Sequence, residues 1–276
     1  MPPELLYPAL FAAGLVAGAL NVVAGGGTFL TLPLLIFAGL PPTVANGTNR
    51  VAILVQNVGA VWGFDRHKVL ERSLVPWTAL PSIVGAALGS WAALVVGDEN
   101  FQRALALLMV VISLWTLWDP VGRLARRRRL AAAGGTVRSA AAGSPAGAGG
   151  GAGDAPLGRR GRWLLAAAFF AVGVYGGFVQ AGVGFLILAA TTWAGLDLVR
   201  GNALKVLVVL AYIPLSLAIF AWQGKVVWGL GVVLAAGHLA GAFLGVHLTV
   251  LKGHRWIQRV VTIAVIAFAL KLWFEL

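Results

Sequence analysis

Two short glycine runs, each opening a short apolar stretch, are the features of this sequence best suited to holding a ligand. Gly25-Gly26-Gly27-Thr28 opens Thr28–Ala38, and Ala181-Gly182-Val183-Gly184 opens Phe185–Trp193. A helix beginning at such a turn leaves its first backbone N–H groups unpaired, aimed along the positive end of the helix dipole. That makes a receptor for an anion. Glycine suits the place because a side chain would keep backbone and ligand apart. The competing reading is that these glycines only let helices pack closely. A repeated pair of turns favours the ligand reading over packing.

Polar residues gather around both turns. Asn21, Thr28 and Gln180 flank the glycines, and Asn46, Asn49, Asn202 and Lys205 stand at the starts of the following apolar stretches. Gln56 and Asn57 lie inside an apolar run. A buried amide is costly without a partner, so these residues pair with one another or with a ligand. An Asn at a helix start also reads as a cap. The equivalent placing of Asn46 and Asn202 favours a binding role. The candidate substrate site is therefore Asn21, Gly25, Gly26, Gly27, Thr28, Asn46, Asn49, Gln180, Gly182, Gly184, Asn202 and Lys205. Lys205 either balances a buried negative charge there or snorkels to the interface.

Other chemistries lack their residues. There is no cysteine, and the nine acidic residues all fall at span ends or in loops, whereas cation pathways need carboxylates inside the bundle. His238 and His247 share one apolar stretch without the spacing of a metal pair, so no cofactor or metal is expected. Either histidine would titrate if transport is coupled to protons, the commoner role being hydrogen-bonded structure. A membrane-embedded enzyme would need a nucleophile–base pair or a metal cluster, which this set does not supply.

The elements that must position these residues are membrane helices. Of 276 residues 59% are hydrophobic and 11% charged, against roughly a quarter charged in soluble domains. The runs Leu5–Leu20, Val51–Phe64, Leu74–Val96, Phe101–Trp118, Trp163–Val179, Val206–Trp222, Val226–Leu251 and Trp256–Phe274 carry few or no charges. Most approach the ~20 residues that cross a hydrocarbon core. Thr28–Ala38 is too short to cross unaided, so the turn before it is expected at depth. The fold class is all-α, a polytopic protein in the lipid bilayer. No Lys or Arg precedes the first run, which argues against a signal peptide.

Between Arg123 and Arg162 lie nine arginines and one aspartate, +8 of the net +12. Set between two apolar halves, this block reads as a cytoplasmic loop under the positive-inside rule, and no nucleic acid partner is implied. The expected organisation is a first repeat over residues 1–120, a flexible cytoplasmic linker over 121–161, and a second repeat over 162–276. A shift of 156 carries Gly39-Leu40 onto Gly195-Leu196, Asn46 onto Asn202, and Gly85 and Gly89 onto Gly241 and Gly245. Gly14 and Gly18 match Gly173 and Gly177 at a shift of 159. Matching loops carry opposite charge character, so the repeats are expected to be inverted, each a glycine-broken hairpin followed by three transmembrane helices.

The run Ala24-Gly25-Gly26-Gly27-Thr28, Pro33 and Ala45-Asn46-Gly47-Thr48-Asn49-Arg50 resembles the TauE/SafE sulfite exporter family. Gln180-Ala181-Gly182-Val183-Gly184-Phe185 and Gly201-Asn202-Ala203-Leu204-Lys205 extend the resemblance over the second half. It implies a multi-pass permease of the plasma (inner) membrane, a secondary transporter exporting sulfite or a related sulfur-containing anion such as a sulfonate, with coupling protons as one energy source. Uptake of another small anion, or channel-like passage, is the alternative.

Overall fold

The computed structural model describes residues 3–23, 25–69, 72–118, 123 and 158–252. Ala24, most of the 121–161 linker and the Trp256–Phe274 stretch lie outside the described residues. Among the described residues the chain is all helical and without strands: α1 (Pro3–Val23), α2 (Thr28–Phe37), α3 (Pro42–Arg66), α4 (Val75–Val95), α5 (Asp98–Trp118), α6 (Arg159–Phe178), α7 (Val183–Trp193), α8 (Leu198–Trp222) and α9 (Trp228–Lys252). Five of these, α1, α4, α6, α8 and α9, are long and apolar enough to cross a membrane. The chain is a multi-pass membrane protein. Exposed Leu80, Val84, Leu88 and Trp91 on α4 show the apolar outer face that lipid requires.

The expected Val51–Phe64 span proves to be the inner part of a longer helix. α3 begins at Pro42, whose missing N–H costs nothing at a helix start, so Asn46, Asn49 and Arg50 sit on helical backbone inside the bundle. α8 likewise begins at Leu198 and takes in Asn202 and Lys205.

The two halves repeat one another in local detail. Gly39 and Gly195 both adopt positive φ, +97° and +101°, just past the ends of α2 and α7. The N–H of Leu40 then returns to the carbonyl of Leu35 (3.2 Å), and that of Leu196 to Thr191 (3.0 Å), the same glycine-closed helix end. The next helices begin alike, by different means. At α8 the Asp197 carboxylate accepts the N–H groups of Val199 and Arg200 (2.8 and 3.0 Å). At α3 a distant carboxylate, Asp98 at the start of α5, accepts the N–H and hydroxyl of Thr43 (2.9 and 2.7 Å).

Glycine faces join the halves. α1 packs on α9 and α4 on α6 so closely that a Cβ on Gly18 would lie 2.4 Å from the His238 carbonyl oxygen, and one on Gly177 2.2 Å from that of Ala86. A Cβ on Gly237 would meet the Phe11 oxygen at 2.3 Å, and one on Gly85 the Phe170 oxygen, also at 2.3 Å. These contacts correct the expected register. Gly85 and Gly89 take the places of Gly237 and Gly241, a shift of 152 and not 156. The glycines recur every four residues along α9, so a slip of one helical turn still aligns glycine with glycine. The packing surface, which sequence matching does not see, resolves it.

The same contacts fix helix directions. Gly14 and Gly18 advance along α9 as α1 advances, and Gly231, beside Thr48 and Val51, together with Gly59 beside Leu239, runs α3 the same way. Arg50 bonds Ser216 while Phe64 clusters with Ala203 and Val206, so α8 runs against α3. α4 follows α8, since Val75 and Pro76 lie beside Leu207 and Leu210 and Ser90 bonds Ser216. α6 follows α4 through Gly85 and Gly89. Helices α1, α3 and α9 thus point one way, and α4, α6 and α8 the other.

Candidate functional site

The two glycine turns meet. A Cβ on Gly25 would lie 2.4 Å from the Cα of Gly184, and one on Gly184 2.3 Å from the Cα of Gly25, so here backbone touches backbone. Gly25 and Gly182 both adopt positive φ, +85° and +74°, which reverses the chain between each long helix and the short one after it. A Cβ on Gly27 would strike the Ala17 oxygen at 1.9 Å and the Asn21 Cβ at 2.8 Å, so α2 doubles back beside α1. Gly25, Gly26, Gly27, Thr28 and Gly184 are all buried, and α2, with 10 residues, rises about 15 Å. Each turn therefore places a helix C-terminus and a helix N-terminus side by side in the interior.

Both kinds of end leave backbone groups unpaired. The C-termini are capped across the repeats. From α8, Lys205 donates from Nζ to the carbonyls of Asn21 and Val22 (both 2.8 Å) and to Asn202 Oδ1 (2.7 Å), while Asn202 Nδ2 donates to the carbonyl of Val23 (3.1 Å). From α3, Arg50 donates from Nη1 to the Gly176 carbonyl (3.3 Å) and Ser216 Oγ (2.6 Å), and from Nη2 to the Gly177 carbonyl (2.5 Å). Asn46 Nδ2 completes that set on the Phe178 carbonyl (2.9 Å). Each amide–cation pair meets the negative end of the other half's first helix. Lys205, 3% exposed, does not snorkel.

The two cations differ in what remains. An ammonium has three N–H donors, and Lys205 commits all three. A guanidinium has five, and Arg50 leaves two uncommitted, the Nε–H and one on Nη2. Arg50 is fully buried, stacks over the Phe220 ring at 4.5 Å, and has no carboxylate partner among the described residues. Arg50 stands in the Ala45–Arg50 motif but outside the expected set of site residues. The signal available was a permanent cation one helical turn after Asn46 in an apolar helix.

The other candidates divide. Thr28 Oγ1 and Asn49 Nδ2 are buried with no partner among the described residues, the other end of Asn49 accepting from Thr31 Oγ1 at 2.8 Å. Asn46 keeps an unpartnered Oδ1. Asn21 is spoken for, donating from Nδ2 to Gln56 Oε1 (3.1 Å), and Gln180 Oε1 accepts from the Tyr212 hydroxyl (3.1 Å). Those two bonds are repeat equivalents of each other, at shifts of 159 and 156. Asn46, Asn49 and Arg50 lie on one face of α3, one turn apart, as spacings of three and four require.

Among the described residues no Asp or Glu is buried, and no group of three metal-ligating side chains exists. The unpartnered buried atoms include three donors: Thr28 Oγ1 at the start of α2, Asn49 Nδ2 on the side chain that meets Thr31 of α2, and Arg50 Nε at the end of α6. The arrangement can hold negative charge. His238 is fully buried, whereas His247 and Arg103 are exposed, Arg103 pairing with Glu99 at 2.6 Å.

Residues 10–272 match the family model described as sulfite exporter TauE/SafE. A "probable membrane transporter protein" of Haemophilus influenzae is 27% identical over 260 residues, covering 94% of this chain and 91% of the relative. The "probable membrane transporter protein YfcA" of Escherichia coli K12 is 28% identical over 278 residues, 100% of this chain and 92% of the relative. A further relative from Sinorhizobium, "probable membrane transporter protein ORF9", is 27% identical over 267 residues, 95% of this chain and 90% of its own. No solved structure matches significantly.

Proposed function

The chain belongs to the sulfite exporter TauE/SafE family of membrane transporters, and from that premise we propose that it exports a small anion, sulfite or a related sulfonate, by alternating access. The observation that carries the reading is Arg50, a buried guanidinium with donors to spare and no carboxylate partner among the described residues, beside two touching helix breaks. An uncompensated charge in the interior is expensive, and a bound anion removes that cost. A planar or pyramidal oxyanion presents the paired oxygens that a guanidinium fork recognises.

The site uses the N–H groups opening α2 and α7, Thr28, Asn49 and Arg50, with Asn46 and Asn202 setting the helix ends. The export mechanism rests on reading the halves as inverted repeats. Supporting it, α6 runs opposite to α1, and the packing of α1 on α9 is exchanged for that of α6 on α4. Rocking of one half against the other about a fixed site is the motion such folds use. The Arg-rich linker, read as cytoplasmic, sets the orientation of the helices in the inner membrane.

Purified protein in liposomes loaded with sulfite tests the proposal. Saturable efflux accelerated by external sulfite, and lost in Gly184→Leu, is the expected result. Efflux that rises linearly with sulfite, or that Gly184→Leu leaves unchanged, would overturn it.

A further inference from the structure

His238 is not accounted for by capping or by anchoring a helix end. It is fully buried in α9, where its backbone packs on Gly14 and Gly18 of α1. Its Nδ1 lies 2.8 Å from Gln56 Oε1, the atom that also accepts from Asn21 Nδ2. A carbonyl oxygen only accepts, so Nδ1 carries the hydrogen and Nε2 presents a lone pair. That Nε2 is buried and has no partner among the described residues. Through the Asn21 backbone carbonyl the chain His238–Gln56–Asn21 ends on Lys205 Nζ. Imidazole, amide, amide and ammonium are thus linked at the break between α1 and α2.

The other half shows what packing alone demands. Asn21 and Gln56 correspond to Gln180 and Tyr212, which make the equivalent bond. At the shift of 152 His238 corresponds to Ala86, against which Gly177 packs as Gly18 packs against His238. A methyl group satisfies that close contact, so the imidazole is there for something else. Few charges face it. α1 carries only Glu4 and Tyr7, at its far end, and α3 carries Arg50, Asp65 and Arg66, none within a helical turn of Gln56. α8 contributes Lys205, already committed, and on α9 itself His247 is exposed.

We propose that His238 Nε2 is a proton-binding site linked to the anion site, taking its proton from water as the anion arrives. The inference rests on the anion-transport reading. An imidazolium in the interior needs a counter-charge, and the incoming anion is the one the site lacks; by linkage, each then tightens the other. The charge moved per anion follows from whether this proton travels too.

Sulfite titrates near neutrality, so the test adds sulfate and methanesulfonate, which keep one charge state between about pH 5 and 8. Binding to the purified protein is measured by calorimetry in buffers of different ionisation enthalpy, which counts protons taken up per anion. Wild type should take up protons with the anion and bind several-fold more weakly as pH rises. In His238→Gln and His238→Ala, the second copying what Ala86 already supplies, uptake should vanish and affinity become independent of pH, with melting temperatures near wild type. Undiminished proton uptake in both variants would overturn the proton site alone. Absence of saturable binding of all three anions to wild type would overturn the transport reading with it.

Discussion

At the end of α1, Lys205 and Asn202 of α8 hold the carbonyls of Asn21, Val22 and Val23; at the end of α6, Arg50 and Asn46 of α3 hold those of Gly176, Gly177 and Phe178. The task is the same in both places, ending a helix inside a membrane protein without leaving carbonyls bare, where each would cost about 1–3 kcal/mol. The amides are repeat equivalents. The cations are not, for Lys205 corresponds to Asn49, and Arg50 to Val206. One end is closed completely by a lysine with nothing left over. The other is closed by an arginine that keeps two donors free. The two helix ends thus differ in spare donors, with none left on Lys205 and two on Arg50.

The largest effects should come from the shared point. Leucine at either Gly25 or Gly184 would drive side chain into the facing backbone, and transport should fall at least about 100-fold, since a misplaced site of about 1 Å already costs that much. Alanine separates the two: Gly25→Ala adds the strain of positive φ to the collision, so it should unfold at lower temperature than Gly184→Ala. Equal melting temperatures would break that distinction.

Exchange of the cations tests the comparison itself. Lys205→Met strips the carbonyls of Asn21 and Val22 of their donor, and Arg50→Met strips that of Gly176 while Gly177 keeps the Ser90 hydroxyl. Each should destabilise by on the order of 3 kcal/mol or less, Arg50→Met by the smaller amount, read from thermal unfolding in detergent. Arg50→Lys keeps a cation but loses the spare donors. It should retain most of the stability and weaken anion binding about tenfold, the loss of one charge-assisted bond.

Smaller differences separate the amides. Asn202→Ala removes a carbonyl donor and an acceptor for Lys205, while Asn46→Ala removes a carbonyl donor and an oxygen with no partner. The first should cost more, by about 1 kcal/mol, in the same unfolding measurement.

The smallest effect lies at the helix starts. Burial opposes the charge on Asp98, but the Thr43 hydroxyl and N–H bonds and the nearby Lys225 outweigh it and hold its carboxyl below the usual range. A depressed carboxylate gives stability that is complete above its unfolded pKa and is lost as pH falls through the folded one. Acid should therefore lower the melting temperature of wild type below about pH 4, more than that of Asp98→Asn.

Much of this was legible in the sequence. The glycine turns announced themselves by interrupting apolar runs, and the small-residue faces of α1, α4 and α9 by their spacing of four. What stayed hidden was every bond between the halves. Arg50 reaches Gly176, and Lys205 reaches Asn21, across 126 and 184 residues, and no local pattern encodes such pairs. Asn46 and Asn202 read equally as caps and as ligands because a side-chain amide does either; the structure assigns their Nδ2 atoms to capping, from the neighbouring half and not their own helix. The register slip in α9 had the same origin, since glycine matches glycine at 152 and at 156 alike.

The most direct test of the account is sulfite efflux from proteoliposomes, with Arg50→Lys and Lys205→Arg measured beside wild type. Arg50→Lys should raise the KM about tenfold with the protein still folded, while Lys205→Arg, which keeps charge and donors at an end already closed, should leave the KM near wild type. Equal KM values in all three, or a defect confined to Lys205→Arg, would contradict the assignment of the anion to Arg50.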